Sequence, residues 1–196
     1  MNERLNKQIK FILEIDKAKN IFRQTHISNC GRRENDAEHC WHMAIMAFLL
    51  NEYSNENIDV NKVILMCLIH DIVEIDAGDT YAYDENAIKT QKSREENAKN
   101  RIFSILPDDQ KLQLISIFDE FEAGETNEAK FAHALDNLQP LILNDNNDGG
   151  DWKSHKVHLA QVEKRQNRTK EGSEKLFEMT KQIIKKHVEK GNLISS

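Results

Sequence analysis

One unbroken apolar run, Val63–Ile69, constrains the fold of this chain more than any other stretch, and it ends in the pair His70-Asp71. Seven consecutive apolar residues must be buried, so the run carries this imidazole and carboxylate into or beside a core. An isolated carboxylate in an apolar setting costs several kcal/mol, and those that persist are usually paired or bound to a metal. The pattern therefore favours a pair of metal ligands. The alternative is a helix that ends in polar surface residues.

The composition decides whether the run is a helix or a strand. Periodicity alone cannot distinguish the two over so short a segment. No other segment alternates apolar and polar residues convincingly, so a strand here would lack a partner. The 196 residues include only two prolines and seven glycines, with 39% hydrophobic and 31% charged residues. These features predict an all-α, single-domain protein extending over residues 1–196.

The first part of the chain is predicted to form two amphipathic helices separated by a loop. Apolar residues at helical spacing indicate a helix over residues 4–23, and the polar segment 25–35 is typical of a loop. Asn35 or Asp36 can cap the next helix. The apolar stripe of that helix is predicted to face the core, which favours packing of the Trp41 indole over stacking on a base. The stripe comprises Trp41, Ala44, Ile45, Phe48 and Leu49.

The second part of the chain is predicted to be mainly helical. Pro140 lies within one of these helices and predicts a kink or a stop, because proline cannot donate a hydrogen bond to the carbonyl of Asp136. The segment 144–151, NDNNDGGD, is typical of a loop. It also partly matches a calcium-binding EF-hand loop, although His155 would replace the final glutamate. The predicted helical stretches are 86–106, one opened by Pro107, one after a break at 124–126, and 155–190.

Charge and cysteine content argue against several classes of protein. The formal net charge of -6 is unlike that of a general nucleic-acid binder, which normally shows a basic face. No span approaches the ~20 apolar residues needed to cross a membrane, and the charged N-terminus does not resemble a secretory signal. Three cysteines without Cys-x-x-Cys spacing fit reduced thiols. We therefore expect a cytoplasmic protein with no nucleic-acid or membrane partner.

Four residues lie on or at the end of mainly apolar helical segments and could converge in one core: His39, His70, Asp71 and Asp136. Two imidazoles and two carboxylates form a mixed nitrogen and oxygen site, which suits a divalent transition metal and leaves positions open for water or substrate. Structural zinc sites usually close with four ligands and often contain cysteine. This set of residues therefore favours a catalytic metal.

Three motifs resemble those of one known family: RRENDAEHCWHMA at 32–44, LIHDIVEIDAGDTYAY at 68–83 and HALDNLQPLILN at 133–144. The family is the HD-domain metal-dependent phosphohydrolases, in particular the subgroup of the bacterial 5'-deoxynucleotidases and HD domain-containing protein 2. Its ordered pattern of a His, a His-Asp pair and a distant Asp is matched by the four candidate ligands. The resemblance implies a helical bundle with a core at about residues 10–190, one divalent metal ion (Mn, Co, Zn, Fe or Mg) and a homodimer.

The resemblance also implies a reaction and residues that perform it. The expected reaction is hydrolysis of a small phosphate ester, such as a (deoxy)nucleoside 5'-monophosphate. By resemblance, Glu74 and Asp79 lie beside the substrate, where they position water or handle the proton. Glu74 follows His70 by four residues, which is about one helical turn if the helix continues. The alternative for Glu74 is a surface acid or a salt bridge at the end of a helix.

A phosphate substrate also requires cations. Arg33, just ahead of the His39 helix, is the first candidate, because a guanidinium can bind phosphate oxygens bidentately. Arg23 is the second, since the related deoxynucleotidases place a basic residue from the end of their first helix over the phosphate. The Arg-Trp pair typical of those enzymes is absent from the first thirty residues, which leaves the substrate open.

The number of metals follows from the histidines. Binuclear relatives place additional histidines between the His-Asp pair and the final Asp, whereas residues 72–132 contain none. We therefore expect a mononuclear site. His133 lies about one turn before Asp136, and a solvated or core histidine is favoured over a contact to the ligands.

Three other functions stay open from the sequence. Hydrolysis of a nucleoside triphosphate or a guanosine polyphosphate would release pyrophosphate or triphosphate. A nucleotide-sensing module would keep the metal pocket without turnover, but it would not need the proton-transfer groups Glu74 and Asp79. A helical interaction protein with accidental histidines is disfavoured by the three motifs taken together.

Overall fold

A computed structural model describes residues 2–80, 83 and 85–195, with the backbone alone for 85–88. The all-α prediction is confirmed, because helices dominate and two short strands are the exception. The domain limits at residues 1 and 196 stay a prediction, since both lie outside the described residues. The helices are α1 (Glu3–Ile15), α2 (Asp36–Leu50), α3 (Val60–Ile69), α4 (Glu74–Ala77), α5 (Glu85–Phe103), α6 (Asp108–Ala123), α7 (Asn127–Asn146), α8 (Gly150–Ser154), α9 (Leu159–Gln166), α10 (Thr169–Gly172) and α11 (Glu174–Glu189).

The main core lies between α2, α3 and α7. The apolar run forms α3, as predicted, and the side chain of Asp59 caps its N-terminus by accepting from the backbone N–H of Asn61 at 3.0 Å. Met43, Met66 and Leu135 are completely buried where the three helices meet. A second apolar cluster lies between α1, α5 and α6 and contains Phe11, Ile102, Phe103 and Phe118. The three helices of the main core are also the ones that carry the candidate ligands.

The orientation predicted for the Trp41 stripe of α2 is wrong, whereas His39 points inward, as its face shared with Met43 and Met46 predicts. Trp41 and Phe48 are each 63% exposed and Leu49 is 60% exposed, so most of the predicted core stripe faces outward, and only Ala44 of it is buried. The buried face instead carries His39 together with Met43, Met46 and Ala47. Both faces of this helix are apolar, and periodicity cannot choose between two apolar faces. The indole of Trp41 therefore does not serve core packing within the described chain.

A β-hairpin replaces most of the loop predicted at 25–35. β1 (Phe22–His26) and β2 (Arg33–Asn35) pair antiparallel, with Phe22 opposite Asn35 and a 3₁₀ turn at Ser28–Cys30 between them. Correspondingly, α1 ends at Ile15 and a 3₁₀ turn follows, so the helix predicted over 4–23 is too long. Strands this short contain too few residues to show alternation. The hairpin places β1 beside the start of α2.

The helix α7 continues past Pro140 to Asn146, so the stop that the proline predicts does not occur. Buried contacts on both sides of the proline, at Leu138 and Leu141, hold the helix although one backbone hydrogen bond is missing.

The acidic segment 144–151 is only partly a loop. Its first residues belong to α7, and α8 begins at Gly150. The side chain of Asn144 donates to the carbonyl of Pro140 at 3.3 Å, and no cluster of oxygen ligands forms in this segment as far as the structure describes it. The EF-hand alternative is therefore not supported.

The C-terminal stretch 155–190 consists of three helices, α9, α10 and α11, instead of one continuous region. Ser173 caps α11, since its side-chain oxygen accepts from the backbone N–H of Leu176 at 3.1 Å. Over the described part of the chain, none of the helices combines the length and the apolar character required to traverse a bilayer.

Candidate metal centre

The predicted metal ligands come from three separate elements of the bundle. His39 lies about one turn into α2, on its buried face. His70 and Asp71 follow α3 directly, in a 3₁₀ turn that ends the apolar run. Asp136 lies near the middle of α7. Because these elements pack around one core, four residues that are distant in sequence meet at one point.

The distances between the four side chains are those of a compact cluster. Nε2 of His39 lies 3.2 Å from Oδ1 of Asp136, and Nε2 of His70 lies 3.1 Å from Oδ1 of Asp71. The diagonal distances, from His39 Nε2 to Asp71 Oδ2 and from His70 Nε2 to Asp136 Oδ1, are both 3.9 Å. His39, His70 and Asp136 can each direct one ligand atom to a common point, since these atoms lie within 4.8 Å of one another.

Both histidines direct the same ring nitrogen toward the carboxylates. Nδ1 of His39 donates to Oε1 of Gln139 at 2.9 Å, and Nδ1 of His70 donates to the carbonyl of Cys67 at 3.0 Å. In the neutral rings each Nε2 is then a lone-pair donor, and Nε2 of His70 is buried without a hydrogen-bond partner among the described residues. Lone pairs facing carboxylates repel unless a cation lies between them. The donor set therefore fits a divalent metal.

Without a bound cation, the charges of His70 and Asp71 stabilise each other. Burial lowers the pKa of His70, but the Asp71 carboxylate outweighs burial and raises this pKa well above its ordinary value. For Asp71, burial raises the pKa, but the charges of His70 and Arg23 lower it below the usual range. A proton on His70 thus occupies the place of a metal, and metal binding must displace it.

Gln139 holds the His39 ring, and the sequence did not reveal this. Its Nε2 donates to Oε1 of Glu34 at 2.6 Å and to Nδ1 of His42 at 3.1 Å, while its Oε1 accepts from His39. All of Gln139 is buried. Gln139 lies three residues after Asp136 on α7, so helical spacing was the one available signal. His42 is thus a partner of Gln139 and does not belong to the ligand cluster.

The structure places Arg23 at the site and Arg33 away from it. Nη1 of Arg23 donates to Oδ2 of Asp71 at 2.7 Å, and the Arg23 side chain is 12% exposed. Its guanidinium also approaches Glu34 at 3.8 Å and Asp36 at 3.9 Å. Burial lowers the pKa of Arg23, but the surrounding carboxylates, Asp71 first, raise it further, so it stays a cation. Arg33 is exposed on β2 and is not among the residues lining the cavities at the metal ligands.

Glu74 and Asp79 lie together beside the ligands. Glu74 begins α4, and Asp79 follows Gly78, whose φ of 75° turns the chain back toward the site. Both carboxyl groups and that of buried Asp36 offer oxygens within 4.8 Å of one another. Burial and the charge of Asp71 raise the pKa of Glu74 well above its ordinary value and that of Asp36 to about 8, and burial raises the pKa of Asp79. This group can hold protons that are available for transfer.

Two cavities open onto the ligands. The first, the hairpin cavity, has a volume of about 150 Å³ and includes Arg23, Asp79, Asn144 and Trp152 in its lining. The second, the α9 cavity, has a volume of about 440 Å³ and includes Glu95, Glu122, Lys164 and Arg168. Residues that line both cavities include Asp71, Glu74, Asp136 and Arg165. The ligand cluster is thus accessible from two directions.

Arg165 is a second residue at the site that sequence reasoning missed. It lies on α9, and its Nη2 is 3.3 Å from Oδ2 of Asp136. Burial raises the pKa of Asp136, but the charges of Arg165 and His70 lower it well below the usual range. His133 lines the α9 cavity, but its Nε2 donates to the carbonyl of Phe121 at 2.8 Å, as expected of a core histidine.

A helical bundle that gathers two imidazoles and two carboxylates at its centre defines a class of metal-binding α-helical domains. The particular family follows from comparison with known proteins. The chain belongs to the HD domain family, whose model matches residues 15–177.

Individual relatives are similar over different lengths. The human protein named 5'-deoxynucleotidase HDDC2 is 28% identical over 114 residues, which are 58% of this chain and 54% of that protein. The chain thus spans about half the length of the curated relatives it matches. A crystal structure from Magnetospirillum magnetotacticum MS-1, described as a predicted metal-dependent phosphohydrolase, is 47% identical with a TM-score of 0.93 and covers 97% of this chain and 95% of that one. An HD-domain phosphohydrolase from Listeria innocua, 18% identical with a TM-score of 0.58 over 82% of this chain and 77% of that one, shares the fold.

Proposed function

We propose that this protein is a metal-dependent phosphohydrolase that acts on a nucleotide, such as a (deoxy)nucleoside 5'-monophosphate. The observation that carries the proposal is the meeting of His39, His70, Asp71 and Asp136 beside the carboxyl groups of Glu74 and Asp79. The names of the human and Magnetospirillum relatives, a 5'-deoxynucleotidase and a predicted metal-dependent phosphohydrolase, support it.

The four ligands would hold one divalent ion, with Mn, Co, Zn, Fe and Mg as candidates. When bound, such an ion lowers the pKa of a water molecule and polarises a phosphoryl oxygen. Gln139 keeps the Nε2 lone pair of His39 directed into the site, and the carbonyl of Cys67 does the same for His70.

Glu74 is the proposed acid for the leaving group. Hydrolysis forms a bond from water oxygen to phosphorus and breaks the bond from phosphorus to the leaving oxygen, which then needs a proton. The raised pKa of Glu74 keeps that proton on its carboxyl group, and Glu74 lines both cavities. Asp79, in the same group of oxygens, would orient the attacking water or the sugar. Arg23 would hold the carboxylates of Asp71, Glu34 and Asp36 in place beside the ligands.

The direct test is restoration of activity by metal. Protein stripped of metal and resupplied with manganese, cobalt, zinc, iron or magnesium should release phosphate from a panel of nucleoside monophosphates. His70→Ala and Asp71→Ala should abolish the activity. Failure of every metal to restore turnover on any phosphoester, or full activity in both variants, would refute the proposal.

A second candidate is hydrolysis of a nucleoside triphosphate or a guanosine polyphosphate. Lys164 and Arg168 in the lining of the α9 cavity favour it, because they add positive charge beyond that needed for one phosphate. Pyrophosphate or triphosphate as the product would select this reaction. Tight nucleotide binding without any product would instead indicate a sensing module.

We further propose a homodimer in the cytoplasm. The three cysteines are free thiols, as expected of a reducing compartment. The exposed side of α2, Trp41, Ile45, Phe48 and Leu49, is the surface proposed for the second copy. Residues 40–51 contain no charged side chain, so a partner surface must also be uncharged, and the same face of another copy meets that requirement.

A further inference from the structure

The substrate proposed above carries negative charge, and two arginines reach the residues around the metal ligands. The charge of Arg23 is already compensated, because Asp71 accepts its hydrogen bond and Glu34 and Asp36 lie within 3.9 Å. Its Nε has no hydrogen-bond partner in the described part of the chain, but this atom is buried and does not face an entering ligand. Arg23 therefore has little free charge to offer a phosphate.

Arg165 is in a different position. Within the residues described, its one hydrogen-bond partner is Asp136, at 3.3 Å, although a guanidinium has five N–H donors. Its side chain is 25% exposed, twice the exposed fraction of Arg23, and it lines both the hairpin cavity and the α9 cavity. Arg165 therefore stands beside a metal ligand with donors available at the point where the two cavities meet.

We propose that Arg165 binds the oxygens of the phosphoryl group that is hydrolysed, and that Asp136 orients it for this purpose. The inference rests on the proposed function and supplies its phosphate subsite. A planar guanidinium suits this role because it donates two parallel hydrogen bonds to a phosphate. Lys164 and Arg168, also on or just after α9 and exposed at the same cavity, add positive charge to the lining beside Arg165.

A purely structural role for Arg165 makes a different prediction. If Arg165 only kept Asp136 ionised, its loss would weaken metal binding, and the affinity of the metal-loaded protein for phosphate would not change. If Arg165 contacts phosphate, its loss weakens phosphate binding at unchanged metal occupancy. Metal affinity and phosphate affinity therefore separate a positioning residue from a phosphate-binding residue.

Inorganic phosphate is the appropriate probe, since its binding does not depend on turnover or on the identity of the base. Titration calorimetry of the manganese-loaded full chain should give a phosphate Kd that rises about tenfold or more in Arg165→Gln, as expected when a charge-assisted hydrogen bond is lost. Arg165→Lys, which keeps the charge without the fork, should recover part of the affinity. Lys170→Gln, at an exposed residue of α10 outside both cavities, is the control with the same loss of charge and should match the unchanged protein.

The outcomes distinguish this inference from the function on which it rests. Any of three results would overturn the role of Arg165: an unchanged phosphate Kd in Arg165→Gln, a loss of phosphate affinity that lower manganese occupancy explains in full, or no phosphate binding by the original chain. Phosphate binding that depends on Arg165 in a protein without hydrolytic activity would support the subsite and refute the proposed function. If circular dichroism shows that Arg165→Gln does not fold, the phosphate Kd of Arg165→Lys decides. A raised Kd supports the inference, and an unchanged Kd overturns it.

Discussion

At the scale of single residues, the proposed activity requires opposite protonation states of two side chains. His70 must lose its proton to become a metal ligand, whereas Glu74 must keep its proton to serve as an acid. Asp71 stabilises the charged form of His70 and disfavours the charged form of Glu74, so the pKa of each is raised. The two residues therefore set opposite limits on the working pH.

The affinity for metal should fall as the pH is lowered. Because the pKa of His70 is raised well above 6.5, its proton competes with the metal even above neutral pH. Competition with a chelator should show manganese binding that strengthens as pH rises through that range, with release of about one proton. The same titration on Glu171→Gln, an exposed residue of α10 outside both cavities, should keep this dependence. An affinity that does not vary with pH would contradict the ion pair between His70 and Asp71.

Glu74→Gln should lower kcat by about 10²–10⁴-fold, the usual contribution of a general acid. In the original chain, activity should fall as pH rises through the raised pKa of Glu74, because the acid is then ionised. The variant should lack this decline. The matched control is Asp76→Asn, since Asp76 lies on the same short helix but pairs with Arg101 at the surface. Equal losses in both variants would mean that α4 is merely disturbed.

Some of these residues were predictable and others were not. His70 and Asp71 follow an apolar run, and burial of that run determines where they lie. Gln139 was marked only by its helical spacing from Asp136, and nothing in the local sequence marks Arg165, which reaches the site through the packing of α9. Arg33 was predicted to bind phosphate because it lies just ahead of the His39 helix. The hairpin instead directs Arg23 inward and leaves Arg33 exposed.

At the scale of elements, packing decided what sequence pattern could not. The apolar run predicted α3 correctly because a long buried segment has few alternatives. The hairpin was not predicted because its strands are only five and three residues long. The Trp41 stripe of α2 was assigned to the core because both faces of that helix are apolar. Pro140 predicted a kink or a stop, yet α7 continues through it because the residues around it are buried.

The close approach of α10 to α7 gives a prediction at this scale. An added Cβ at Gly172 would meet the backbone carbonyl of Lys130, which cannot move as a side chain can. Gly172→Ala should therefore destabilise the protein by about 1–3 kcal/mol in urea unfolding. Gly150→Ala is the control, because nothing lies within 4 Å of its added Cβ, and it should stabilise slightly or leave stability unchanged. Equal stability of the two variants would contradict this close packing.

At the scale of the whole molecule, the outer side of α2 is an exposed apolar surface formed by Trp41, Ile45, Phe48 and Leu49. Phe48→Glu should shift the proposed dimer to monomer, because two charges would face each other across an apolar contact. Light scattering over a range of protein concentrations measures the change. Leu112→Glu is the control, since Leu112 is 66% exposed on α6 and lies outside the α2 face. A monomeric original chain, or a dimer unaffected by Phe48→Glu, would contradict the proposed contact.

The ligands also give a bound ion a mechanical role. His39 and Asp136 are separated by 97 residues, and His70 lies between them in sequence. An ion bound by all of these ligands would cross-link three segments of the chain. It would thereby close long loops that are open in the unfolded chain. Loss of the ion would then cost the protein part of its rigidity together with its reactivity. Availability of metal in the cell would control how much folded protein survives as well as how much of it is active.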